Sequence, residues 1–147
     1  MKLLFTIGLL SIGSSLFSQN VNDLKKSDSQ RVFSDTLLIF YGETLYFEAN
    51  MDSNKILNFK QVTQIGDSKK TIQVTLGEGS FGGKGSTEMK IINPFNKTLA
   101  YKAEMKTTRN RMNFVETSVV TIYPKIFSME LWPEKIEVIM LTNFKLN

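Results

Sequence analysis

The chain has no histidine and no cysteine among its 147 residues, so its capacity for chemistry rests on carboxylates, hydroxyls, cations and glycine-rich backbone. Ser-His-Asp and Cys-His nucleophile systems are therefore impossible, and a typical zinc site lacks its nitrogen and sulfur ligands. No serine stands three residues before a lysine, which removes the simplest Ser-Lys arrangement. Carboxylates are plentiful: Glu43, Glu48, Glu78, Glu88, Glu104, Glu116, Glu130, Glu134 and Glu137. Two of them at the right separation would suffice for a small carboxylate-dependent hydrolase, because one carboxyl can protonate a leaving group while the other attacks or activates water. Most fall on the polar positions of alternating segments, where solvated charge is the ordinary explanation. Asp52, Asn54 and Asp67 offer only a fragment of an oxygen-ligand calcium loop. No catalytic, cofactor-binding or metal-binding residue is assigned on these grounds.

The glycine-rich stretch Gly77-Glu78-Gly79-Ser80-Phe81-Gly82 has GxGxxG spacing. Such glycines let backbone amides approach phosphates, and a loop of this type covers the nucleotide in protein kinases. The remaining kinase parts are missing: there is no HRD, no DFG, and Lys84 stands where that pattern has Val. A dinucleotide site would need a following helix, whereas Ser86 to Asn93 alternates as a strand. A phosphate loop would need Ser or Thr after Gly83-Lys84, and Gly85 is there instead. The stretch is read as a hairpin loop.

Recognition by surface loops is the remaining chemistry. Lys102, Lys106, Arg109 and Arg111 surround one hairpin tip, where they face an anionic partner or simply protect an edge from strand-to-strand association. Trp132 beside Pro133 could stack on a sugar or peptide, although a lone Trp in a sandwich more often fills the core or its rim. Phe81, Lys84, Arg109, Arg111 and Trp132 are taken as the interaction surface. The expected partner is a protein or glycan of the cell envelope. A net charge of +4 spread along the chain gives no reason to expect nucleic acid.

These residues must be carried by elements that alternation and turn residues define. Residues 1–18 have Lys2, then an apolar run from Leu3 to Leu10 extended by Ile12, Leu16 and Phe17, the pattern of a cleaved secretory signal peptide. Serines and glycines break the run before it could span a bilayer, so no transmembrane anchor is expected after cleavage. Residues 19–34 are a polar N-terminal arm. Residues 35–147 form one domain, with turn signals at Asp52-Ser53-Asn54, Gly66-Asp67-Ser68, Asn93-Pro94, Thr108 to Arg111, Pro124-Lys125 and Trp132-Pro133. Between them most segments alternate with period two, while Thr36 to Tyr41 is a continuous β-rich apolar run and Lys55 to Gln64 fits either a strand or a short helix. The segment Lys97 to Thr107 puts Leu99, Tyr101, Ala103 and Met105 on one face and Thr98, Ala100, Lys102, Glu104 and Lys106 on the other. Met112 to Tyr123 reads as a long strand, and Lys135 to Leu146 as a central one.

Seven or eight strands at about ten-residue spacing, with no long helix, fit an all-β antiparallel sandwich or a barrel, and the sandwich is preferred. The segments IINPFNKTLAYKAEM and ETSVVTIYPKIFSMELWPEKIEVIMLTNFKLN resemble uncharacterised exported bacterial proteins of immunoglobulin-like type. The resemblance implies an immunoglobulin-like sandwich in the periplasm or outside the cell, and carries over no site. The expected role is a non-catalytic exported binding module or accessory envelope subunit, without a cofactor, and the carboxylate hydrolase is the alternative.

Overall fold

Strands form where apolar side chains recur at every second position, and here that pattern builds two sheets closed face to face. The structure, a computed structural model, describes residue 26, residues 29–80 and residues 85–147. The signal peptide, most of the polar arm, and Phe81 and Lys84 lie outside the described residues. The strands are β1 (Val32–Phe33), β2 (Thr36–Phe40), β3 (Glu43–Asp52), β4 (Lys55–Val62), β5 (Thr71–Glu78), β6 (Thr87–Ile92), β7 (Leu99–Thr107), β8 (Val115–Thr117), β9 (Phe127–Trp132) and β10 (Ile136–Leu146). One sheet has the order β1-β2-β10-β7-β8, the other β4-β3-β5-β6-β9, and every strand pairing is antiparallel. The all-β sandwich expected from alternation is thus present.

Ten strands stand among the described residues, where seven or eight were expected. Two of the ten are short edge pieces. β1 lies within the segment read as a polar arm, and β8 is all that forms of the long strand expected over Met112 to Tyr123. The reason for the second difference is local. The Val120 amide is taken by the Glu130 carboxylate at 2.8 Å, and the Ile122 and Tyr123 carbonyls are taken by the Asn93 side-chain amide, each at 3.0 Å. The Val120 amide and the Tyr123 carbonyl are thereby lost to a ladder, and Ile122 alone pairs, exchanging both backbone bonds with Leu99, so the segment crosses between the sheets with a single bridge.

The core lies between the sheets. Phe47, Ile72, Val74, Leu76, Met89 and Ile91 come from one, and Leu37, Ile39, Leu99, Ala103, Ile139 and Leu141 from the other. β2 is buried along its whole length, as its unbroken TLLIF run requires. Its outward residues Leu38 and Phe40 join Val138 in a second cluster roofed by Phe33, Phe114 and Met140. β10 is the central strand of its sheet, paired with β2 on one side and β7 on the other.

Asn93 holds the crossover from β6 to β7. It is completely buried, its Oδ1 accepts the Phe95 amide at 2.9 Å, and its Nδ2 donates towards the Lys97, Ile122 and Tyr123 carbonyls. A buried amide satisfied on both ends fixes the loop and, through Tyr123, the approach of the chain to β9. The glycine-rich hairpin between β5 and β6 is closed by Gly79 against Ser86, where a Cβ on residue 79 would lie 2.6 Å from the Ser86 hydroxyl.

Candidate interaction surface

The side chains that reach solvent with chemistry to offer are distributed very unevenly. Of the ten large apolar residues exposed among the described residues, eight lie between positions 112 and 131: Met112, Val115, Val120, Tyr123, Ile126, Phe127, Met129 and Leu131. Monomeric proteins scatter such residues singly, and of these eight Phe127, Met129 and Leu131 lie side by side on one face of one strand.

β9 organises the group. It is an edge strand, paired only with β6 among the described residues, in the register Phe127 to Ile92, Met129 to Lys90 and Leu131 to Glu88. Its alternation runs inside out. Phe127, Met129 and Leu131 are exposed on the outer face, while Ser128 and Trp132 are buried and Glu130 is half-buried on the inner face. Three inward contacts hold this register. Trp132 fills the core and donates from Nε1 to the Thr117 hydroxyl at 2.9 Å. Glu130 accepts the Val120 amide. Thr87, opposite Trp132, is buried, donates to the Glu134 carbonyl and accepts the Ile136 amide, both at 2.9 Å, locking the turn into β10. On the outer face the Lys90 ammonium sits 4.4 Å from the centre of the Phe127 ring, a cation–π contact.

Glu130 also bears on the interior. It adds to the effect of burial in pushing the Tyr101 phenol well above its ordinary range, burial being the larger cause. The Tyr101 hydroxyl is buried with no hydrogen-bond partner, while its ring stacks on Phe144, which meets Phe59 edge to face.

The residues taken from the sequence as a surface separate into three groups. Phe81 and Lys84 lie outside the described residues. Trp132 is buried, so its ring is part of the core and is not presented to a partner. Arg109 and Arg111 are exposed on the turn after β7, where Arg111 reaches Glu137 at 3.2 Å and the Thr108 amide bonds the Lys135 carbonyl. The turn and Trp132 therefore flank the same β9–β10 connection. The rest of that cationic group is engaged locally: Lys102 lies 4.0 Å from Glu116, and Lys106 is buried over the Phe114 ring.

In two concavities lined by described residues the carboxylates do not converge. A cleft of about 430 Å³ beside Asn54, Asn143 and Asn147 contains only Asp35. A second, beside Asn50 and Asn58, contains only Glu48, which pairs with Lys70 at 3.1 Å. The register sets Glu104 opposite Glu116, but on the outer face of an edge strand. Among the described residues no group of three or more His, Cys, Asp or Glu is arranged to hold a metal ion, and no helix is long and apolar enough to cross a membrane. No family model matches the chain, and neither a curated protein nor a solved structure matches it.

Proposed function

We propose that the chain is an exported, non-catalytic binding module of the cell envelope that recognises a protein partner through the β9 side of its sandwich. The observation that carries this reading is the inverted alternation of β9, which exposes Phe127, Met129 and Leu131 while burying Ser128 and Trp132. A strand that needed only to close its own core would present the opposite face. Export is supported by the leader residues 1–18.

An immunoglobulin-like classification fits the same chain tracing. In that arrangement the second and fifth strands pair in one sheet and the third and sixth in the other. Here β6 pairs with β9 and β7 with β10, β8 lies beside β7 as an added strand, and β2 takes the seventh-strand place beside β10 from the N-terminal side. This core occupies the C-terminal half, where the resemblance of the sequence also lies.

Two measurements test the proposal. In the envelope fraction the chain is expected to begin at Gln19, and a retained Met1 would remove the export reading. In native size separation of the same fraction, the chain is expected to run above its own mass, and Phe127→Glu with Leu131→Glu to bring it down to that mass. A wild-type chain that already runs at its own mass would remove the binding reading.

A further inference from the structure

We infer that the partner of β9 is a second copy of this chain, paired antiparallel through its own β9 about a twofold axis at Met129, so that the two five-stranded sheets join into one. The inference rests on the reading of the β9 side as the binding surface.

The backbone supplies the first argument. The Asn93 amide donates to the Ile126 carbonyl at 2.9 Å, one step beyond the last β6·β9 pair, Ile92 with Phe127. Exchanging and non-exchanging pairs alternate along an antiparallel ladder. Phe127, Met129 and Leu131 are therefore the non-exchanging residues towards β6, and their N–H and C=O groups point to the free edge. These are the same three residues whose side chains form the apolar outer stripe. Backbone valence and apolar surface are offered together, and among the described residues no strand takes them.

The second argument is self-complementarity. A twofold interface needs a patch that fits itself. With the axis at Met129, Phe127 meets Leu131 of the second copy, Met129 meets its own counterpart, and Glu130 lies opposite a Ser128 hydroxyl. All three outward-pointing residues exchange bonds, two per pair. Moving the axis to Glu130 sets two carboxylates directly opposite, which is destabilising, and moving it to Ser128 forfeits one exchanging pair. Charge on the flanking strand agrees with the same register. Glu88 lies beside Leu131 and the Lys90 ammonium covers Phe127, so each Leu131–Phe127 pair across the axis is flanked by a carboxylate from one copy and an ammonium from the other.

Because the chain has no cysteine, single cysteines report the register directly. Under oxidation Met129→Cys is expected to form a disulfide dimer, since directly paired strand residues lie within disulfide reach. Phe127→Cys and Leu131→Cys should each stay unlinked alone and link when mixed. Leu57→Cys, equally exposed on the opposite edge of the same sheet, is the control and should stay monomeric. Sedimentation of the purified wild-type chain should give twice the chain mass, and Met129→Lys should halve it while the chain stays folded, because that side chain is outside the core; the wild-type unfolding midpoint should rise with chain concentration and that of Met129→Lys should not. A wild-type chain that sediments as a monomer overturns the inference, and links from 127 to 129 overturn the register. If the purified chain is monomeric yet the envelope complex persists, the binding module stands with a different partner; if both are absent, the two readings fall together.

Discussion

The sandwich has two lateral sides, and they are closed by different means. On the β1–β4 side, Arg31 and Glu43 form a two-pronged ion pair, with Nη2 to Oε1 at 2.8 Å and Nε to Oε2 at 3.1 Å, both side chains largely buried. Glu43 also accepts the Phe40 amide, Arg31 lies over the Phe40 ring, and the Phe59 amide bonds the Ser34 carbonyl across the gap. The exposed edge there carries Lys55 and Lys60, charges that deter a further strand. On the β8–β9 side the sheets are joined by hydrogen bonds without an ion pair, Trp132 to Thr117, Val120 to Glu130 and the bonds of Asn93 and Leu99 to Ile122, and the β9 edge has no cation of its own. One side is sealed by a buried ion pair and protected by cations, the other is held by hydrogen bonds alone and left apolar. The contrast teaches that the exposed apolar residues of β9 are a property of one side and not of a poorly covered fold.

The largest effect expected from this comparison is on the sealed side. Glu43→Ala leaves the buried Arg31 guanidinium with carbonyl acceptors but no carboxylate against it, and should cost about 3 kcal/mol in urea unfolding. Replacing both, as Arg31→Met with Glu43→Leu, should restore most of that loss. If the single change costs less than about 1 kcal/mol, as an exposed pair would, this side is not sealed by charge. Trp132→Phe on the β8–β9 side removes one hydrogen bond and a little volume, and should cost about 1–2 kcal/mol. A loss equal to that of Glu43→Ala would erase the difference between the sides.

Tyr101→Phe gives the smallest effect and has a distinctive pH dependence. Its hydroxyl is buried and unpaired, so removing it should be neutral or stabilising by up to about 1 kcal/mol at neutral pH. The folded phenol is pushed above its unfolded range by burial and by Glu130. Stability tied to the neutral phenol is therefore complete below about pH 10, the unfolded value, and falls as pH rises beyond it. Unfolding midpoints at neutral and strongly alkaline pH should diverge less in Tyr101→Phe than in the wild type. An identical alkaline loss would show that Tyr101 ionises as freely in the folded chain as in the unfolded one.

Much of this molecule is legible locally. The alternation of Leu99, Tyr101 and Ala103, and of Ile72, Val74 and Leu76, gives both the strands and their buried faces, because each residue's environment repeats along its own segment. What is not legible depends on partners distant in the chain. Glu43 reads as a solvated charge until Arg31 folds over it. Val119 to Tyr123 has the composition of a strand, yet Asn93, some thirty residues earlier, takes its carbonyls. The edge itself is the clearest case. Alternation says that 127 to 132 has an apolar face and a polar one, but only the anchoring of Trp132 and Thr87 decides which face turns inward. A signal for the site was nevertheless present, in the concentration of apolar residues from 112 to 131 without an intervening run of charge.

The pairing of β2 with β10 joins residues about a hundred positions apart, Leu37 with Leu141, at the centre of one sheet. Loop closure over that distance has to precede the contacts that reward it, so the chain has high contact order and folds slowly for its size. The sheet cannot be completed until β10 is available, and until then β2 has only the two-residue β1 to pair with. Until then Leu37, Leu38, Ile39 and Phe40 stay uncovered, and any cut within β10 takes the register of both its neighbours, β2 and β7, with it.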